Sequence, residues 1–238
     1  MEDSVYKRHI DNFNKHWWFQ GRKKIIENCI SSIITNKKNQ ILDYGAGSGV
    51  NVEMLSKFGR LDIYEPHSQT QKYLKKKFRK NNIKVINDVK NRKYDLIVLA
   101  DVLEHIKKDH NQIVKLTKNL NEKGKILVTV PAYEFLFTKK DHILGHYRRY
   151  NLTQLKKKFY KFKTLKLCFF NFFLFIPISF ILLLFKILKK DFIDDVEKKP
   201  SKAINKILYL ILLLESKLIT TINFPIGISI LGIFEKKR

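Results

Sequence analysis

The chain has 238 residues with 47 Lys or Arg against 22 Asp or Glu, a formal net charge of +25, so it can bury a sizeable core and suits one α/β domain with an addition. The basic surplus would suit nucleic acid or an anionic membrane, yet it is spread in runs such as Lys75-Lys76-Lys77 and Lys156-Lys157-Lys158, which leaves a solvated surface or a lipid contact and disfavours nucleic acid. Only two cysteines occur, Cys29 and Cys168, too far apart for metal-ligand spacing, so no metal is expected and a reducing compartment is the default.

Residues Met1 to His16 are polar and charged, unlike a secretory signal peptide. The aromatic run His16-Trp17-Trp18-Phe19-Gln20-Gly21-Arg22 leads into a helix expected over Arg22 to Ile34. Strands are expected at Ile41 to Tyr44, Leu61 to Glu65, Lys84 to Ile86 and Tyr94 to Ala100, with a fifth at Lys125 to Val130 between Gly124 and Pro131. Helical spacing separates them at Val50 to Phe58, Ser68 to Lys80 and His110 to Leu120. The strands are continuous apolar runs, the pattern of a parallel sheet buried on both faces.

Between the first strand and the following helix lies Asp43-Tyr44-Gly45-Ala46-Gly47-Ser48-Gly49, a tight turn whose backbone must pass close to a ligand beside free helix amides. A dinucleotide fingerprint would need glycine where this chain has Val50, so a pyrophosphate cradle is disfavoured. Glu65 follows Gly45 by about 20 residues at a strand end, the spacing of a ribose-binding carboxylate.

This turn resembles the first motif of the class I S-adenosylmethionine-dependent methyltransferases, and Asp101-Val102-Leu103-Glu104-His105-Ile106 resembles the segment that follows strand four in many members acting on small molecules. The aromatic start, taken with the loop Asp141-His142-Ile143-Leu144-Gly145-His146-Tyr147-Arg148-Arg149-Tyr150, is similar to a bacterial subfamily of these enzymes. The resemblance implies a Rossmann-like, doubly wound seven-stranded α/β sheet whose last strand is antiparallel. It also implies S-adenosylmethionine contacts from Asp43, Gly45, Ala46, Gly47, Gly49, Glu65, Pro66, Asp88, Asp101 and Val102, and an acceptor side lined by Trp17, Arg22, Tyr147, Arg148 and Arg149. Blander roles stand beside these: the aromatics as a helix staple, Asp101 and Glu104 as caps of the next helix, and the arginines as partners of the protein's own acids.

Methyl transfer from a sulfonium is an in-line displacement, so positioning dominates. A hydroxyl acceptor also needs a base, for which His105, His142 and His146 are candidates, the last two preferred because they lie in the loop expected to face the acceptor.

The family's final hairpin places strand six at Thr164 to Phe170 and strand seven at Ile228 to Phe234. The apolar run up to Leu188 and a second apolar helix at Ile204 to Ile222, joined by the polar stretch Lys189 to Lys202, then form an insertion. The organisation expected is a helical cap over residues 1–40, a cofactor-binding domain over 41–170, the insertion over 171–224 and the final strand in 225–238. Pro177, Lys186, Glu215 and Lys217 interrupt the apolar helices, so a hairpin lying in the cytoplasmic leaflet of the inner membrane is expected ahead of an integral pair of crossings. The expected activity is methylation of a hydroxyl or other nucleophile on a lipid-linked or apolar acceptor. The alternatives are a soluble metabolite or sugar with the hairpin as an anchor or dimer contact, and a non-catalytic membrane-partner protein.

Overall fold

A computed structural model of the protein describes residues 15–36, 38–187 and 200–237. One sheet contains β1 (Asn39–Tyr44), β2 (Gly59–Tyr64), β3 (Ile83–Ile86), β4 (Tyr94–Ala100), β5 (Leu120–Pro131), β6 (Phe162–Phe170) and β7 (Ser229–Lys236). Their order is β3-β2-β1-β4-β5-β7-β6, with β1 to β5 parallel and β7 antiparallel to both of its neighbours. The doubly wound sheet with an antiparallel last strand is therefore the observed architecture. The helices are α1 (Trp17–Ser31), α2 (Val52–Leu55), α3 (Ser68–Lys77), α4 (Asp109–Thr117), α5 (Lys139–Leu144), α6 (Leu152–Lys158), α7 (Phe175–Ile187) and α8 (Lys202–Leu218).

The core explains the unbroken apolar strands. Along β4, Leu96 and Val98 pack with Ile25 and Ile26 of α1, whereas Ile97 and Leu99 pack with Ile113 of α4 and Leu155 of α6. Alternate side chains thus enter two different cores, and neither face of the strand meets water. Helix ends shift for local reasons. α1 begins at Trp17, earlier than expected, because His16 caps it, its Nδ1 accepting the Trp18 N–H at 3.2 Å. α2 is shorter than expected because the glycine turn absorbs its first residues, with the Gly49 N–H donating to the Ala46 carbonyl at 2.9 Å.

The insertion between β6 and β7 consists of α7 and α8, and the two helices differ. α8 packs along α1, where Gly21 permits close approach: a Cβ there would lie 2.5 Å from the Leu212 side chain. Asn205 Oδ1 accepts the Trp17 N–H at 3.0 Å, and Asn28 donates to the Ser216 carbonyl at 2.7 Å. Glu215, which the sequence pattern marks as an interruption of an apolar helix, is fully buried. Its carboxylate accepts the backbone N–H groups of Asn171 and, at 2.9 Å, Phe172, fastening the exit of β6 to α8. The inner face of α8 is therefore part of the protein's own core, while Ile204, Ile207, Leu210 and Leu214 remain exposed. No helix among the described residues is long and apolar enough to cross a membrane. Residues 1–14 of the expected cap and most of the expected polar stretch after Lys189 lie outside the described residues.

Candidate active site

The strand order reverses between β1 and β4, and the crevice at their carboxyl ends holds a cavity of about 580 Å³. At one end β1 runs into Gly45, Gly47 and Gly49, all with left-handed φ (75°, 54° and 78°). The three glycines answer two different demands. A Cβ on Gly45 would lie 2.9 Å from Val102, and one on Gly49 would lie 2.6 Å from Phe78, so both permit internal packing. A Cβ on Gly47 would meet nothing within 4 Å; this residue bares its backbone to the cavity. The Gly47 N–H donates to Glu65 Oε2 at 2.7 Å and the His67 N–H to Glu65 Oε1 at 3.0 Å. Burial raises the Glu65 pKa, and these two N–H groups oppose the rise. Behind the turn Asp43 is buried with Oδ2 lacking a partner among the described residues, and burial together with Glu65 pushes its pKa up to about 7.

The opposite wall comes from α1 and the end of β4. Arg22 is buried and paired with Asp101; burial lowers its pKa to about 10 against the pull of Glu104 and Asp43. Asp101 Oδ1 also accepts the Thr129 hydroxyl at 2.7 Å. Asp101, Tyr133 and Asn171, just past β4, β5 and β6, adopt left-handed φ values of 56°, 61° and 60°. Such backbone is disfavoured for side chains with a Cβ, and here it turns three successive strand exits at the rim of the crevice. α4 starts behind Lys108, so neither Asp101 nor Glu104 caps it.

Glu104, His105 and His146 meet beyond Arg22. Glu104 is 0% exposed, and neither of its carboxylate oxygens has a hydrogen-bond partner on any other described residue. Burial pushes its pKa up to about 8, against Arg22 and Arg149. The rings of His105 and His146 pack edge to face with centroids 4.6 Å apart. His146 is delivered by α5, whose start is closed by a capping box between Thr138 and Asp141 and whose end is turned by Gly145 at φ 78°. Asp141 Oδ1 then lies 2.9 Å from His146 Nδ1, and both its oxygens take Arg149, from Nε at 3.0 Å and Nη2 at 2.9 Å. Burial alone would raise the Asp141 pKa, but His146 and Arg149 hold it below the usual carboxylate range.

Of the residues singled out from sequence, Trp17, Arg22, Gly45, Ala46, Gly47, Glu65, Pro66, Asp101, Val102, His105, His146 and Arg149 line this one cavity. Trp18 lines it too and also stacks on Phe170 at 5.9 Å, so the aromatic start acts as wall and staple together. Asp43 and Gly49 stand behind the turn, outside the lining. Asp88 lies on an exposed turn, accepting the Lys90 N–H at 2.9 Å. His142, a preferred base from sequence, is outside the cavity and packs on Phe137 at 4.8 Å, because α5 turns it away from His146. The Tyr147 side chain is exposed. Arg148 is occupied by Asp109 at 3.0 Å and by the carbonyls of Ile106 and Lys107. The cavity adds residues that sequence reasoning did not propose: Glu104, Asp141, Asn171, and Ile178 and Leu182 of α7. Asp141, five positions before His146 with a helix-stopping glycine between them, is the one whose spacing carried a signal.

Residues 17–170 match the protein-family model described as "Methyltransferase domain". Among solved structures, the fold is similar to that of the N-methyltransferase NodS from Bradyrhizobium japonicum WM9 in complex with S-adenosyl-L-homocysteine, with 13% identity, a TM-score of 0.60 and coverage of 99% of this chain and 98% of that one. The plantazolicin methyltransferase BpumL, in complex with the same compound, has 13% identity and a TM-score of 0.58 over 99% of this chain and 90% of its own. Coclaurine N-methyltransferase has 14% identity and a TM-score of 0.57 over 89% and 71%. At these identities the likeness is one of fold. No curated protein matches the chain.

Proposed function

The chain belongs to the methyltransferase-domain family of S-adenosylmethionine-dependent enzymes, and from that premise we propose that it methylates a hydroxyl or other nucleophile of a lipid-linked or otherwise apolar acceptor at a membrane surface. S-adenosylmethionine supplies the methyl group as a sulfonium substituent. The turn fits that compound: Gly47 leaves its backbone bare, Asp43 behind it has a carboxylate oxygen with no partner among the described residues, and Glu65 offers a carboxylate to ribose hydroxyls. Across the cavity, Glu104, His105 and His146 are the groups that can take an acceptor's proton, and Arg22 and Arg149, each tied to a carboxylate, fix the walls around them.

The observation that carries the acceptor class is that α7 serves two surfaces. Ile178 and Leu182 line the same cavity as Glu65 and Glu104, while Ile176, Phe180 and Ile187 on the same helix are 76%, 66% and 77% exposed. An apolar acceptor could pass from a lipid surface to the cavity along one helix. The exposed Lys202 and Lys206 of α8 would each add about 1 kcal/mol near an anionic membrane. In this proposal α7 lies at the membrane surface; no described helix is long and apolar enough to cross it.

The test is to incubate the full chain with methyl-labelled S-adenosylmethionine and a lipid extract of the host membranes. Label in the organic phase is expected. Label confined to water-soluble products would replace the lipid-linked acceptor with a soluble one, and cofactor binding without transfer to any fraction would favour a non-catalytic role.

A further inference from the structure

We propose that Glu104, His105 and His146 bind a divalent transition-metal ion that holds an oxygen of the methyl acceptor. The acceptor part rests on the function proposed above, with the three groups acting on the acceptor through the ion instead of as free bases; the ion site stands on its own geometry. Each residue offers one ligand atom, and all three atoms lie within 4.8 Å of one another. Metal–ligand bonds of about 2.0–2.2 Å can bridge that spacing with small side-chain rotations. Two imidazoles and one carboxylate form a set that takes zinc, iron, cobalt or manganese and leaves coordination positions open, here towards the cavity.

Two further features point to a cation. A carboxylate removed from water is costly unless a positive charge or donors compensate it, yet Glu104 is fully buried with no partner on another described residue. The neighbouring guanidinium groups of Arg22 and Arg149 attract Glu104 through space, but they pair with other carboxylates, Arg22 with Asp101 and Arg149 with Asp141. Asp141 in turn holds His146 through Nδ1, leaving Nε2 as the ligand atom, the carboxylate–histidine arrangement that orients metal-bound imidazoles. The ligand set itself was not visible in residue spacing, because His146 comes from a connection some forty positions beyond the Glu104-His105 pair.

The full chain, stripped with a chelator, would be titrated with Co2+ by visible absorption and with Zn2+ by calorimetry, and S-adenosylmethionine binding would be measured on the same samples. One ion per chain is expected. Glu104→Gln and His105→Ala should each weaken it at least about tenfold, and Asp141→Asn by about 10- to 100-fold, while His142→Ala leaves it unchanged. Retained cofactor affinity in the Glu104 or His105 variant would show that the fold survives and assign the loss to the site. A wild-type protein that binds S-adenosylmethionine but neither ion, or ion binding that survives both ligand substitutions, would overturn the proposal. Ion binding without cofactor binding would leave the metal site standing and unseat the function proposed above.

Discussion

At the glycine turn, the groups facing the cavity come from one short stretch, Tyr44 to Pro66, and backbone does much of the work, with the Gly47 N–H on Glu65. At the far end, Arg22, Glu104, Asp141, His146 and Asn171 arrive from α1 and from the connections after β4, β5 and β6, and they act through side chains. The first end depends on conformations that glycine alone adopts easily. The second depends on buried charges matched to one another across the fold. Substitutions should therefore fail differently at the two ends, by lost ligand at one and by lost structure at the other.

The largest expected effect is at Asp141. It is almost fully buried and accepts from Arg149, His146 and the Thr138 N–H, so Asp141→Ala leaves the Arg149 guanidinium, only 10% exposed, without its carboxylate and should cost about 3–5 kcal/mol in urea denaturation. The same pairing has a pH signature. The folded pKa of Asp141 is held below its ordinary 3.8, so the ionised form contributes stability that is fully present above that value and is lost as pH falls towards the folded pKa. Wild-type protein should lose stability more steeply than Asp141→Asn between about pH 5 and pH 2; parallel curves would mean that the pairing is not a net source of stability.

Glu65→Ala should act on the ligand. Loss of a charge-assisted hydrogen bond, worth about 1.5–3 kcal/mol, would weaken S-adenosylmethionine roughly 10- to 100-fold in calorimetry, with a smaller change in the unfolding midpoint than Asp141→Ala gives. A larger stability loss than affinity loss would blur the distinction between the two ends.

The glycines sharpen the comparison inside the turn. Gly49→Ala forces a methyl to within 2.6 Å of Phe78 at a left-handed φ and should cost about 1–3 kcal/mol of stability. Gly47→Ala meets open space, so its smaller stability cost comes from backbone strain and its main effect should be on cofactor affinity. Equal effects on both measurements at both positions would refute the separate roles.

The same contrast explains what the sequence could show. β1, β4 and β5 were legible from their runs of buried apolar residues and β2 and β3 from shorter ones with an exposed position each, and the turn because glycine spacing and an acidic strand end are short-range signals. The sequence marks Arg149 as a residue of interest but not as the partner of Asp141, and it favours His142 as a base although α5 directs that ring to Phe137. Glu215 was read as a break in an apolar helix, whereas it satisfies the N–H groups of Asn171 and Phe172 from 44 and 43 residues away. A local pattern records a residue's polarity but not the distant donor that makes its burial tolerable.

The smallest effect on stability, and the one most specific to function, should come from the exposed face of the insertion. Phe180 and Ile187 touch solvent over most of their surface, so Phe180→Ser with Ile187→Ser should change unfolding free energy by no more than about 0.5 kcal/mol per site. If α7 rests on lipid, the same pair should sharply reduce co-sedimentation with phosphatidylglycerol vesicles, because each buried large apolar side chain contributes about 1.5–3 kcal/mol to partitioning. Leu212→Ala supplies the opposite case. Leu212 is fully buried against Gly21, so its truncation should destabilise the fold by about 2–5 kcal/mol without altering the vesicle-facing surface. Vesicle binding that survives the double substitution would place the membrane contact elsewhere and leave α7 only as a wall of the cavity, removing the route proposed for an apolar acceptor.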